Sequence, residues 1–235
     1  ELVLCQEISA GDFGWGPLSG VWTQDSSNNV FLTDTASNPN LKVGIGTTTP
    51  QEQLHITGNF RKPATILSGG SPLGVVYIGT TPFLHDFAIE NTFLGEDAGN
   101  FTMAAGTSYN TGIGSRALQS LTTGNINTAV GWVALNANTT GVSNTAIGAQ
   151  ALRANTTGGL NTAVGSDAMR STTTGGSNTA VGYRTLIGNT IASFNTALGS
   201  EALSNSVTSE KNTAIGASAL LTNSTGSFNT AVGYN

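Results

Sequence analysis

Two histidines, thirteen carboxylates and a single cysteine are all that this 235-residue chain offers to acid–base, nucleophilic or metal chemistry. Catalysis requires such groups to converge in a pocket. His55 lies in Leu54-His55-Ile56, a strand-like piece in which a structural role is the natural one. His85 is followed by Asp86, a carboxylate able to hydrogen-bond an imidazole, but no nucleophile accompanies the pair. Glu96-Asp97 occurs once rather than periodically and reads as surface. There is no His/Cys cluster and no Asp-rich nonapeptide of a calcium-binding β-roll. Gly44-Ile45-Gly46 lacks the third glycine of a dinucleotide loop, the lysine of a P-loop and a following helix-forming run. It is expected to be a tight turn between two short strands. The chain therefore reads as a non-enzyme with no cofactor and no metal.

Composition narrows the partners. Only 9% of residues are charged, against a typical quarter, and glycine numbers 31. The net charge of −5 is spread out, with no Lys/Arg cluster that could displace counterions from a phosphate backbone, so nucleic acid is not an expected partner. No apolar run approaches the ~18 to 20 residues that span a bilayer, so this segment is not expected to insert into a membrane. The chain begins at Glu1, which fits a processed terminus or a fragment, and carries no signal-like charged and apolar regions. Leu2-Val3-Leu4-Cys5 departs from a bacterial lipobox by placing Leu4 where a small residue belongs. Cys5 has no partner for an intrachain disulfide. It reads as a small hydrophobe in a strand, with an interchain bridge as the alternative.

The organising feature is a repeat. Asn-Thr, followed by a small residue, an aliphatic residue and Gly, starts at Asn91, Asn110, Asn127, Asn144, Asn161, Asn178, Asn195, Asn212 and Asn229; the first gap is 19 residues and every later one is 17. The glycines are Gly95, Gly114, Gly131, Gly148, Gly165, Gly182, Gly199, Gly216 and Gly233. Ala-Leu or Ala-Met follows in most units, as in Ala117-Leu118, Ala151-Leu152, Ala168-Met169 and Ala219-Leu220. Thr-Gly closes most of them, with Ala192 and Ser209 replacing the glycine in two. A closing turn that tolerates substitution is expected to be exposed.

Seventeen residues are too few for the helix pairs of α-solenoids but suit one coil of a β-solenoid or β-roll. Thr-Ala-Val-Gly alternates as a strand does, and Gly and Thr-Thr-Gly supply the reversals. The Ala-Leu stretch is either a second strand or one helical turn, with Leu inward in both cases. Coils stacked at about 4.8 Å would give a rod of about 40 Å, each coil completing its neighbour's core. The anchor asparagines would form a ladder, bonding their own turn or the next Asn. Alternation is read with Thr128, Thr145, Thr162 and Thr179 on the side of the core aliphatics, and with Ala129, Ala146, Ala163, Ala180, Ala197, Ala214 and Ala231 outward. A methyl stripe of that kind is a candidate contact between chains, three of them meeting along it.

Residues 1–59 form an N-terminal β-rich segment, 60–90 a connecting β segment and 91–235 the solenoid with its nine anchors. The expected fold class is all-β: a parallel β-roll or β-solenoid, assembled as a homotrimeric fibre. In the N-terminal region, Trp22…Asn29-Val30-Phe31…Val43-Gly44-Ile45-Gly46-Thr47…Pro50…Leu54-His55-Ile56-Thr57-Gly58 resembles a segment of bacterial and phage tail-fibre-like proteins. There it commonly precedes long β-structured repeats, and the chain often ends in an intramolecular chaperone. The 17-residue units are similar to the coils in the heads of trimeric autotransporter adhesins, which are left-handed parallel β-rolls. Adhesin-head repeats are usually shorter than 17, and neither the anchoring barrel nor the chaperone is present here. The chain stops six residues after Asn229, as a truncated protein would.

These resemblances imply a structural, extracellular fibre, on a bacterial cell surface or a virion, that presents a cell- or glycan-binding surface. Its partners would be two further copies of itself and a glycan or protein receptor, with trimer multivalency raising weak contacts to useful avidity. A self-polymerising filament is a second reading, since Leu2-Val3-Leu4 could add a strand to a neighbour. Binding of ice or crystalline polysaccharide by a flat threonine array is a third, disfavoured by the placement of those threonines on the core side. Four Asn-x-Ser/Thr sites, Asn100, Asn138, Asn155 and Asn223, would matter only in a eukaryotic host.

Overall fold

In the computed structural model, residues 75–234 are described with their side chains, except Gly79, Ile89 and Ala105; before them, the backbone of eight short strands is described. The chain divides into two compact units, Glu1–Arg61 and Lys62–Asn235. The segment 60–90 thus belongs, from Lys62 on, with the coils that follow.

In the first unit, β1 (Val3–Ser9) pairs antiparallel with β2 (Asp12–Pro17), and β3 (Trp22–Gln24) with β4 (Val30–Leu32). Val3 and Leu4 are matched to Pro17 and Gly16, and Cys5 stands in β1 opposite Trp15. β5 (Val43–Ile45) runs parallel to β6 (Leu54–Ile56), with Gly44 beside His55. Gly44-Ile45 is therefore strand, which corrects the expectation of a tight turn. Parallel partners need a connection long enough to return the chain to its starting end, and no tight turn does that.

In the second unit, β7 (Ile66–Ser68) and β8 (Ser71–Leu73) form a pair of their own. The rest is an all-β parallel β-solenoid. Its sheet starts with two antiparallel pairings, β9 (Val76–Ile78) to β10 (Thr81–His85) and β10 to β11 (Thr92–Leu94). Parallel strands then follow at one per coil: β12 (Thr111–Ile113), β13 (Thr128–Val130), β14 (Thr145–Ile147), β15 (Thr162–Val164), β16 (Thr179–Val181), β17 (Thr196–Leu198), β18 (Thr213–Ile215) and β19 (Thr230–Val232). Register is constant, with Thr on Thr, Ala on Ala and aliphatic on aliphatic from β13 to β19.

The wall opposite the sheet is neither strand nor helical turn. It is a run of turns in which Leu118, Leu135 and Leu152 each donate a backbone N–H to the alanine carbonyl of the next coil, at 3.0 to 3.1 Å. Each of these leucines adopts φ between +47° and +55°, a left-handed conformation. So do the residues two places earlier, such as Arg116 and Gln150, and those just before each anchor Asn, such as Ile126 and Ser143. Such residues normally avoid that region. Here the hydrogen bonds between coils hold them in it.

The core is filled from both walls. Ala129, Ala146, Ala163, Ala180, Ala197 and Ala214 are fully buried from the sheet, and Leu118, Leu135, Leu152, Met169, Leu186 and Leu203 from the turns. Ala231, on the last strand, is half-buried. This reverses the expected orientation: alanine faces in, while threonine and the aliphatic residue face out. The physical reason is width. The leucines and the buried amides of the anchor asparagines leave the sheet room for methyl groups only, and Val or Ile at the alanine positions would overfill the coil.

Candidate functional site

Each anchor asparagine is positioned by the strand that it precedes and is buried inside the coil, from Asn91 to Asn212; Asn229, just before the last strand, is exposed. The Oδ1 of Asn110 accepts two bonds from Asn127, from its backbone N–H at 3.0 Å and from Nδ2 at 3.1 Å. Asn127 Nδ2 also donates to the Gly141 carbonyl at 2.9 Å. The same bonds recur from Asn127 to Asn144 and from Asn144 to Gly158. An amide is suited to this because it carries an acceptor and two donors on one planar group. With partners above and below, its polar atoms are satisfied inside a protein core, so the column is structural and closed to ligands.

A second column of polar side chains fills the closing turns: Asn138, Asn155, Thr172, Asn189, Ser206 and, half-buried, Asn223. Asn155 Nδ2 donates to Asn138 Oδ1 at 2.8 Å and to the Gly158 carbonyl at 3.0 Å. Asn138 and Asn155, two of the four Asn-x-Ser/Thr positions, are thus inaccessible core groups in the folded chain. The expectation of an exposed turn holds for Thr123, Thr140, Thr157 and Thr174 but not for the position that varies: Gly124, Gly141, Gly158 and Gly175 are buried, as are Ala192 and Ser209. None of these positions requires a positive φ, so the backbone at Ala192 and Ser209 is unstrained, but a Cβ added at Gly124, Gly141, Gly158 or Gly175 would collide with a carbonyl oxygen of the next coil.

Asn155 Oδ1 is buried without a donor. The residue above it, Thr172, turns its hydroxyl to the Asn189 carbonyl at 3.2 Å. Thr172→Asn is expected to supply the missing N–H and raise stability by about 1 kcal/mol, seen as a higher denaturation midpoint; an unchanged or lower midpoint would show that the column gains nothing from continuity.

The candidate catalytic groups have structural surroundings. His85 is buried and packed, with its ring tilted, against Phe93 and Phe101, whose ring centroids are 4.9 and 4.5 Å away. Its Nε2 lies 2.7 Å from the Ala98 carbonyl, and its Nδ1 accepts the Phe87 N–H at 3.3 Å. Together with Phe87, which packs edge-on against Phe101, these rings close the start of the solenoid. Glu96 is exposed and Asp97 half-buried. Tyr109 has its hydroxyl held above the ordinary tyrosine range by a hydrogen bond to the Glu90 carboxylate and by that carboxylate's charge. Arg170–Asp167 at 3.5 Å, with Asp167 half-buried, and the exposed pair Arg184–Glu201 at 3.8 Å lie at the surface and contribute little. Among the described residues no group of three His, Cys, Asp or Glu could hold a metal ion. Nor does any described helix have the length and apolarity to cross a membrane.

What the fold does assemble is a surface. Along the outer face of the sheet stand a threonine column and, two residues on, an aliphatic column made of Leu94, Ile113, Val130, Ile147, Val164, Val181, Leu198, Ile215 and Val232. The last residue of each coil, just before the anchor Asn, brings Ile126, Leu160, Phe194 and Phe228 to the surface. The residue after each strand-ending glycine brings Trp132, Tyr183 and Tyr234, one every third coil. Reading the sequence by hydrophobicity missed this face, because it sent the larger apolar residue inward. The buried glycine and asparagine neighbours set a size limit that could have signalled it. Comparison with protein-family models, with curated proteins and with solved structures gave no match.

Proposed function

We propose that the chain is a structural part of an extracellular fibre, built from several copies of itself, that holds a cell- or glycan-binding surface away from a bacterial cell or virion. Three is the number of copies that the resemblance to adhesin heads implies. The observation that supports this reading is the constant register of eight consecutive strands, from Thr111 to Val232, each paired to the next. A stack of this kind has no hinge within it, and its stability grows by neighbour contacts, the property a rigid spacer needs. Short turns whose carbonyls are bonded between coils leave little backbone for a protease to engage.

The test is limited proteolysis combined with electron microscopy and cell binding. Prolonged protease treatment is expected to leave a fragment covering 91–235 that images as short rods, and the assembled protein is expected to be retained on cells or glycan arrays more strongly than its dissociated subunits. Rapid cleavage between coils, or no retention by either form, would end the proposal.

A second reading is favoured by one observation: the threonine and aliphatic columns share the outer face, so the orientation that disfavoured ice or crystalline polysaccharide does not hold. Thermal hysteresis and adsorption to insoluble polysaccharide distinguish that reading from the first.

A further inference from the structure

From Ile126 on, the last-residue column alternates in size: Ile126, Ser143, Leu160, Ser177, Phe194, Lys211, Phe228; Glu90 and Tyr109, which precede them in the column, stand outside the alternation. The bulky members are 59% to 74% exposed. They also hold φ between +59° and +63°, a region costly for β-branched and aromatic residues. Neither property helps an isolated chain to fold. Ser143 and Ser177 leave gaps between these knobs, and at the third such position the Lys211 ammonium lies 4.9 Å over the Phe228 ring. Beside this column run the threonines and aliphatics, and neither of those two columns contains a charged residue from β11 to β19. Eight coil-to-coil steps of about 4.8 Å and a breadth of about 20 Å give a face of roughly 800 Å², one partner's share of a standard interface.

We propose that a second copy of this chain packs on this face, displaced by one coil, so that Leu160, Phe194 and Phe228 of one copy enter the gaps at Ser143, Ser177 and Lys211 of the other. Commensurability identifies the occupant. A partner must repeat at the coil spacing to stay in register over eight coils, and a second copy has that period by construction. A crystalline lattice can share the period but needs a flat surface, and knobs on every second coil are not flat. The inference rests on the fibre reading and names a surface through which copies meet, in place of the alanine column that the fold buries. Because a one-coil stagger does not close round three parallel copies, this contact joins copies in an open, staggered array.

The experiment is analytical ultracentrifugation of the full chain over a concentration series, with circular dichroism and thermal melts as folding controls. Wild type is expected to sediment as a multiple of its 23.8 kDa. Ser143→Phe with Ser177→Phe fills two gaps with a residue already native to that column, so folding is expected to be retained. Assembly is expected to weaken at least about tenfold, although apolar surface has been added. Ile147→Glu with Val164→Glu and Val181→Glu, all on the outer face, is expected to weaken it further, while Lys211→Ser leaves it intact or tighter.

If wild type assembles and both multiple variants assemble equally well, the interface is elsewhere and the proposal falls while the fibre reading stands. If wild type is monomeric throughout, both fall. Thermal hysteresis or adsorption to crystalline polysaccharide by monomeric wild type, abolished by the triple Glu variant, would assign the face to a lattice and also overturn the proposal.

Discussion

Ala146→Glu is expected to unfold the solenoid around β14, whereas Ile147→Glu, one residue along the same strand, leaves the isolated chain folded. Ala146 is 0% exposed, sandwiched between Ala129 and Ala163, and Ile147 is 42% exposed. A carboxylate in place of Ala146 would lie among methyl groups and leucines with no cation, and desolvating an unpaired charge costs several kcal/mol even after local relaxation. It would also need volume that the coil lacks. At Ile147 the same change costs only the difference in strand preference, up to about 1 kcal/mol. Far-ultraviolet circular dichroism and thermal melts at low protein concentration, where association does not contribute, would separate the two. Equal damage from both, or greater damage from Ile147→Glu, would mean that the faces are assigned the wrong way round.

Gly148→Ala is expected to destabilise the stack by about 3 to 5 kcal/mol, combining backbone strain with forced overpacking. Gly148 has φ +133°, and a Cβ built there would stand 2.5 Å from the Gly165 carbonyl oxygen and 2.6 Å from its carbon. That oxygen belongs to the next coil, so relief requires prising two coils apart and losing their hydrogen bonds. Gly106→Ala is the control, because its φ is +93° with nothing within 4 Å of the added carbon. It meets the strain alone, about 1 to 3 kcal/mol. Chemical denaturation of both variants gives the comparison. Equal losses would show that close approach of the coils is not what keeps glycine at this column.

The anchors were legible because a stack forces like residues onto like: a 17-residue spacing held from Asn110 to Asn229 has few explanations other than coils of constant length. The left-handed backbone at Arg116, Leu118 and Ile126 was not legible. Turn chemistry announces itself through Gly, Asn and Asp, and Arg, Leu and Ile carry no such signal. These residues are held by bonds to coils 17 residues away, so their conformation is a property of the stack.

By itself, the sequence determined the period, the all-β class and the parallel register, since each follows from which residues recur and how often. Only the tertiary structure decided which side of the strand is the interior. A period of two defines two faces without ranking them, and hydrophobicity ranks Val above Ala. The ranking fails here because the space between sheet and leucines is closely filled and already shared with the buried amides of the asparagines. In so narrow a coil volume outweighs hydrophobicity, so alanine fills the core and valine is left on the outer face.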